Sequence, residues 1–281
     1  MPSSIQSAPE PIRRLYKSFA APISILVWSQ ALTPGDSDRA IHDGYACGFV
    51  MEVEDRWFWV TAGHVLRDIE ESFEFRRPFF IGMLDDLAGD VDLPCGPFDY
   101  WNAFKFHLDD PTTGIDLGLM EIRPMYRAWL EKAGTVPVRE AQWLHAPEAA
   151  DAFYLVGLPY ESADLSGAKS GHQRFLNVKA SAPAIRLTPQ PTPPRVAPNP
   201  VGQLYFLVPK RAPGTSGEPG IPEDIEGMSG GPIFAVRGLS SDPQMFLLGV
   251  QSRWLESERS LTATRADVLG MALKQQLRGT E

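Results

Sequence analysis

The sequence predicts an all-β protein built as a barrel or a sandwich. Short apolar segments rich in β-branched and aromatic residues recur along the chain and are separated by turns. Few segments show helical spacing, and evenly spaced short strands are typical of barrels and sandwiches. With 281 residues, the chain is long enough for one large all-β unit or two small domains with a buried core.

The first half of the chain begins with a segment, residues 1–18, that is polar and contains prolines, so we expect a loose arm with room for one short helix. Apolar strands separated by turns follow it. We predict strands at 23–28, 46–53, 56–61, 79–83, 104–108 and 117–122.

The second half repeats this pattern after residues 125–133, which are compatible with either a short helix or a linker. Two proline- and glycine-rich segments, 189–202 and 209–222, predict extended surface loops because proline cannot donate a ladder hydrogen bond. We predict strands at 152–158, 175–180, 184–187, 204–208, 232–236 and 245–251.

A helix is predicted at the C-terminus. The sequence Thr-Arg-Ala-Asp at 264–267 resembles a capping box, with Asp in place of the usual Glu or Gln. Apolar residues then recur at helical spacing, at Ala266, Leu269, Leu273 and Leu277.

Composition excludes several classes of function. The formal charge of −9 and a pI near 5.1 argue against nucleic-acid binding, and no apolar run is long enough to predict a membrane span. The histidines and the aspartates at 85–92 lack the spacing of metal ligands, so we expect no metal and no cofactor.

Cysteine usage favours a reducing compartment. Cys47 and Cys95 cannot form a disulfide framework, although one bond between them stays open. A basic segment before residues 19–28 has the outline of a signal peptide, but Pro22, Ser24 and the missing cleavage site favour mature structure. We therefore expect a cytoplasmic location, with secretion the less favoured alternative.

Three motifs carry residues suited to acyl transfer. Residues 227–232 read Gly-Met-Ser-Gly-Gly-Pro and place Ser229 in a glycine-rich turn. Such a string is expected by chance in about one in three thousand chains of this length. His64 follows Thr-Ala-Gly at the end of an apolar strand, and Asp116 opens another in Ile-Asp-Leu-Gly-Leu. The chain order His, Asp, Ser is one of the three orders in which such a triad occurs.

On these motifs the chain resembles the trypsin/chymotrypsin-fold serine peptidases, particularly the compact bacterial type, from about residue 20 to about residue 270. The resemblance implies two antiparallel six-stranded β-barrels with a C-terminal helix. The expected first barrel covers 19–125 and holds His64 and Asp116, an inter-barrel linker covers 126–150, and the second barrel with the helix covers 151–281 and holds Ser229.

The resemblance also assigns roles to these residues. His64 would accept the proton of Ser229 and return it to the leaving amine, while Asp116 would orient His64. The amides of Gly227 and Ser229 would form the oxyanion hole. Zymogen-activated relatives have aspartate at the position of Met228, where it pairs with a new N-terminus. Methionine cannot form that ion pair, so packing or another switch must hold the oxyanion hole.

Substrate specificity is the least determined feature. Counted back from the serine, Glu223 and Asp224 approach the floor of the main side-chain pocket, where an acid would favour Arg or Lys; the alternative is that both acids face water. By resemblance, 248–252 pairs with substrate backbone, Ser252 is placed to touch Asp116, and Arg253 with Trp254 narrows the cleft. Gln251, Ser252 and Arg253 are therefore candidate substrate-binding residues.

Three functions remain open after the sequence alone. The first is a serine endopeptidase that acts on protein or peptide substrates through an acyl-enzyme. The second is a catalytically silent module that grips peptides on the same fold. The third is an esterase that uses the same residues. The oligomeric state stays open, and no nucleic-acid or membrane partner is expected.

Overall fold

The structure is a computed structural model that describes most of the chain. The described residues are 10–31, 41–76, 80–86, 97–110, 112–145, 149–160, 163–170, 173–180, 182–192, 203–210, 224–239 and 241–279. Cys95, Glu223 and much of the two proline-rich loops lie outside these residues.

The first half of the chain folds as one antiparallel sheet with helices. Its seven strands have the order β5-β4-β1-β2-β3-β7-β6. In chain order the elements are α1 (Glu10–Ala20), β1 (Ile23–Ala31), β2 (Ile41–Val53), β3 (Arg56–Thr61), α2 (Gly63–Arg76), β4 (Phe80–Asp86), β5 (Pro97–Phe98), β6 (Lys105–Asp110) and β7 (Ile115–Ile122).

The second half folds as a closed six-stranded antiparallel barrel, with the order β11-β12-β15-β14-β13-β8, and a separate β9–β10 hairpin. Two helices, α3 (Pro124–Ala133) and α4 (Glu140–Trp143), join it to the first half, and α5 (Ala266–Gly279) follows the last strand. The strands are β8 (Ala152–Val156), β9 (Ala163–Ser170), β10 (Gln173–Ala180), β11 (Ala184–Gln190), β12 (Leu204–Leu207), β13 (Pro232–Arg237), β14 (Gln244–Leu255) and β15 (Ser260–Arg265).

The predicted pair of closed barrels is therefore confirmed only for the second half. Among the described residues, the first half is a sheet whose edge strands β5 and β6 do not pair with each other. β5 is two residues long and begins with Pro97, which has no N–H to donate to a neighbouring strand. Each predicted strand corresponds to an observed one, whereas β5, β9 and β15 were not predicted.

The helices correct two expectations. Residues 1–18 were expected to form a loose arm with room for one short helix; residues 10–18 belong to helix α1, because Leu15 and Phe19 are buried on one face. The predicted C-terminal helix is confirmed, with Ala266, Leu269 and Leu273 buried. The capping box before it is wrong, since the Thr264 hydroxyl bonds to the backbone of Asp116 instead of capping the helix.

One hydrophobic core joins the two halves. Phe19 of α1 lies between them, stacked on Phe234 of β13 at a centroid distance of 5.6 Å and tilted against Tyr154 of β8 at 5.0 Å. Phe49 and Phe58 of the sheet belong to the same buried cluster. The position of the barrel relative to the sheet is therefore set by packing that includes the N-terminal helix.

None of the helices in the described ranges is long and apolar enough to cross a membrane.

Replacing Phe19 by Ala should lower the free energy of unfolding by about 3–5 kcal/mol, because a buried aromatic ring is lost and a cavity remains. Chemical denaturation measures this change. Lys17→Ala, on the exposed side of the same helix, is the matched control and should change stability by less than about 0.5 kcal/mol. Equal stability of both variants would show that α1 does not dock on the core.

Candidate active site

His64 lies in the first turn of α2, immediately after β3 ends at Thr61. The helix starts where β6 passes closely, because a Cβ on Gly63 would lie 2.3 Å from the carbonyl oxygen of Leu108. Only glycine fits there, so the close approach places the His64 ring beside the sheet. The ring is half-buried, with 27% of the side chain exposed.

Asp116, the second residue of β7, holds His64 at two points. Its Oδ1 accepts a hydrogen bond from the backbone N–H of His64 at 2.9 Å, and its Oδ2 lies 2.7 Å from the ring Nδ1. An ionised carboxylate can only accept, so Nδ1 carries the proton and Nε2 is left as the acceptor. A histidine with its proton on Nδ1 and a free Nε2 has the protonation state that acyl transfer needs.

The charges around His64 favour its protonated form. Burial alone would lower the pKa of His64, but the hydrogen bond and the charge of Asp116 oppose it, helped by the charges of Asp68 and Asp109. The net result is a pKa above the ordinary value for histidine. The same interactions stabilise the imidazolium that forms when His64 accepts a proton.

The barrel holds the aspartate strand through its backbone. The Thr264 hydroxyl on β15 accepts a hydrogen bond from the N–H of Asp116 and donates to its carbonyl oxygen, both at 3.3 Å. The side-chain amide of Gln203 donates to the Gly114 carbonyl, and the Tyr205 hydroxyl donates to Gln203 at 2.9 Å. Sequence reasoning missed these contacts, since nothing in the local pattern pairs residues so far apart.

Ser229 lies in a turn that packs against the sheet. Gly227 and Gly230 have φ values of +90° and +88°, which favour glycine. A Cβ on Gly230 would lie 2.2 Å from the Thr61 hydroxyl and 2.7 Å from the Cys47 carbonyl, so the turn approaches the end of β3 that leads to His64. The Ser229 hydroxyl forms no hydrogen bond with His64 or with any other described residue.

The backbone N–H groups of this turn fall into two sets. Those of Met228, Gly230 and Gly231 donate to the carbonyls of Ile225, Gln251 and Met228, at 3.0, 2.9 and 2.8 Å. Those of Gly227 and Ser229 donate to no acceptor within the described part of the chain. These are the two amides that the sequence nominated for an oxyanion hole.

Met228, between these two amides, is fully buried in the barrel core. It packs with Leu155, Ile225 and Ile233 rather than facing a charged partner. The turn is therefore anchored by an apolar side chain at the position where the resembled zymogen-activated enzymes use an ion pair.

The described candidate specificity residues lie in three different local environments. Glu223 lies outside the described residues, and Asp224 accepts a hydrogen bond from the N–H of Glu226 at 3.1 Å in a local turn. Gln251 is buried, and its N–H already donates to Gly231 at 2.9 Å. Its side-chain oxygen has no partner among the described residues.

The two residues after Gln251 also differ from expectation. The Ser252 hydroxyl bonds to the carbonyl and hydroxyl oxygens of Thr262, each at 3.1 Å, and not to Asp116, because Ser252 occupies a β-bulge on β14. Arg253 lies on the surface 3.3 Å from Asp109 of β6, which also pairs with Arg67 of α2. This ion cluster, which sequence reasoning missed, connects the barrel to the His64 helix.

Within the described ranges, no three His, Cys, Asp or Glu side chains are grouped so that they could hold a metal ion.

The chain matches no known family model and no curated protein. Its structure is similar to those of several proteases. One is tobacco etch virus protease in a catalytically inactive form complexed with substrate, at 11% identity and a TM-score of 0.41, over 93% of this chain and 86% of that one. Another is the protease Anisep from Arthrobacter nicotinovorans, at 14% identity and a TM-score of 0.46, over 91% and 95%.

A third similar structure is the thermostable serine protease AL20 from an extremophilic microorganism, at 11% identity and a TM-score of 0.42, over 94% of this chain and 99% of that one. At these identities and TM-scores the likenesses carry no argument about function. The function proposed below therefore rests on the residues of the site.

Asp68→Asn and Asp109→Asn should each lower the pKa of His64, because each removes a negative charge that favours the imidazolium. The base works when neutral, so the acidic limb of activity should move to lower pH. An NMR titration of the imidazole protons measures the shift directly. Asp55→Asn, in the turn at the other end of β3, is the control and should leave the pKa of His64 unchanged. An unchanged His64 pKa in Asp68→Asn and in Asp109→Asn would contradict the prediction.

Thr264→Val should slow reaction at the site about tenfold, equivalent to about 1.4 kcal/mol, because the backbone of Asp116 loses its partner. Thr262→Val is the matched control, since it removes a neighbouring hydroxyl on β15 that bonds to Ser252 instead. The rate of fluorophosphonate labelling and the free energy of unfolding are measured for both. Equal labelling rates would mean that Thr264 does not position Asp116.

Proposed function

We propose that this protein is a serine endopeptidase that hydrolyses peptide bonds through His64, Asp116 and Ser229. The observation that carries the proposal is the hold of Asp116 on His64, through both the backbone N–H and the ring Nδ1. This hold sets the tautomer in which Nε2 accepts a proton. The Ser229 turn supports the assignment of the nucleophile, since its Gly227 and Ser229 amides donate to no described residue.

In the proposed mechanism, His64 Nε2 takes the proton of the Ser229 hydroxyl as its oxygen attacks the substrate carbonyl carbon. The amides of Gly227 and Ser229 stabilise the negative charge on the former carbonyl oxygen. His64 then gives the proton to the leaving amine, the C–N bond breaks and an acyl-enzyme remains. A water molecule then attacks the acyl carbon while His64 takes its proton, and the proton passes to the Ser229 oxygen as the ester bond breaks and the acid leaves. All these steps use groups of the protein and water, so the reaction needs no cofactor.

The Ser229 hydroxyl has to form a hydrogen bond with His64 before this reaction begins. In sites without substrate, catalytic hydrogen bonds are often long or absent and form only in the complex. The Ser229 side chain is half-buried and makes no competing hydrogen bond in the described part of the chain, so no described hydrogen bond has to break first.

The second candidate is a catalytically silent module that binds peptides in the same cleft. The missing hydrogen bond between Ser229 and His64 favours it, since a serine that never approaches the base is not activated. Both candidates take a protein or peptide partner.

We also propose that the protein is located in a bacterial cytoplasm, which is a reducing compartment. The buried thiol of Cys47 is free, and this supports the proposal.

Ser229 should be covalently labelled by a fluorophosphonate at neutral pH, because His64 activates its hydroxyl. In-gel fluorescence and mass spectrometry of the modified peptide measure this. Ser229→Ala should lose the label and keep its thermal midpoint, while Ser241→Ala, at an exposed serine in the β13–β14 turn, should label like the wild type. If the folded wild-type protein takes no label, the peptidase proposal is contradicted and the catalytically silent peptide-binding module takes its place.

A further inference from the structure

We propose that Tyr160 is a positioning residue that holds the oxyanion-binding peptide group in its active orientation. The proposal rests on the peptidase function argued above and names what keeps its oxyanion hole formed. Its central observation is a hydrogen bond of 2.9 Å from the backbone N–H of Tyr160 to the carbonyl oxygen of Glu226. Glu226 shares a peptide group with Gly227, whose N–H is the proposed oxyanion donor.

The orientation of that donor follows from peptide geometry. In a trans peptide group the C=O and N–H bonds point in opposite directions, and the Glu226–Gly227 group is trans. With the Glu226 carbonyl directed at Tyr160, the Gly227 N–H must point away from Tyr160. A rotation of the group by half a turn would break the Tyr160 bond and put a carbonyl oxygen where the N–H now lies, so Tyr160 opposes that rotation.

Packing adds to the hydrogen bond. A Cβ on Gly227 would lie 2.9 Å from the Tyr160 nitrogen and 3.1 Å from its ring, so only glycine permits this close approach. The Tyr160 ring meets Tyr45 of β2 edge-to-face, at a centroid distance of 5.3 Å. Tyr45 is buried in the first half of the chain, and Tyr160, which is 54% exposed, thereby contacts both halves.

The segment that carries Tyr160 is itself fixed against the serine turn. It leaves the barrel at the end of β8, where a Cβ on Gly157 would lie 3.1 Å from the Met228 side chain. A Cβ on Gly231 would lie 2.5 Å from the Val156 carbonyl oxygen. These approaches set the distance between Tyr160 and Glu226, and they involve no released N-terminus. The Gly227 N–H is therefore held in place without an ion pair to a released N-terminus.

The test compares Tyr160→Pro with Tyr160→Ala. Both variants lose the ring, but only proline also removes the N–H. A fluorophosphonate probe, whose phosphoryl oxygen needs the same donors, gives the binding constant KI and the inactivation rate constant kinact. We expect the kinact of Tyr160→Ala to be less than tenfold below that of the wild type, because the contact with Tyr45 is lost. The kinact of Tyr160→Pro should be about a hundredfold below that of Tyr160→Ala with KI unchanged, which is the size of the effect of one lost oxyanion donor.

Equal kinact values for the two variants would overturn the role of Tyr160. Thermal midpoints check that both are folded. If the proline variant does not fold, the α-hydroxy acid analogue of tyrosine at position 160 removes the N–H as an ester and keeps the ring, and the same hundredfold loss is expected. If the ester variant keeps a kinact near that of the wild type, the proposal is contradicted.

Failure of the peptidase function itself is distinguishable. It is seen as absent labelling in the wild type, whereas failure of the Tyr160 role leaves labelling intact. Amide hydrogen exchange in Ser229→Ala gives an independent measurement that needs no activity. The Tyr160 N–H should be protected and the Gly227 N–H should exchange rapidly, while rapid exchange at Tyr160 would overturn the proposal.

Discussion

The buried carboxylate of Asp116 is the constraint on which the site depends. A charge removed from water is costly unless it is paired and hydrogen-bonded, and Asp116 meets that requirement with the backbone and ring of His64. The start of helix α2 supplies the backbone donor, at the end where an anion is favoured. The start of α2 lies beside β7, and the orientation of the His64 ring follows from these two hydrogen bonds.

This constraint also ties the two halves of the chain together. β7 belongs to the sheet, but Thr264 of the barrel holds the backbone on either side of the Asp116 side chain. Gly230 of the barrel in turn approaches Thr61 and Cys47 of the sheet with no room for a side chain. The site thus forms at a contact between two separately hydrogen-bonded units, and Phe19 stabilises that contact from within the shared core.

A cluster of ion pairs around Asp109 lies near the buried Asp116. Asp109 lies between Arg67 of α2 and Arg253 of β14, at the surface edge of the same contact. Exposed ion pairs contribute little to stability, but the charge of Asp109 also acts on His64. The charge of Asp109 in this cluster therefore contributes to the raised pKa of His64.

The sequence by itself determined twelve of the fifteen strands among the described residues, the C-terminal helix and the candidate residues His64, Asp116 and Ser229, because alternation, helical spacing and glycine-rich turns are local signals. It left the helix that holds Phe19 open, and it did not predict the helix that holds His64 or the unpaired edge strands of the first sheet in the described part of the chain. The tertiary structure decided which groups hold the site: Thr264 instead of Ser252 beside Asp116, and Tyr160 beside Gly227. Those partners are up to 148 residues apart in the chain, and only packing brings them within hydrogen-bonding distance.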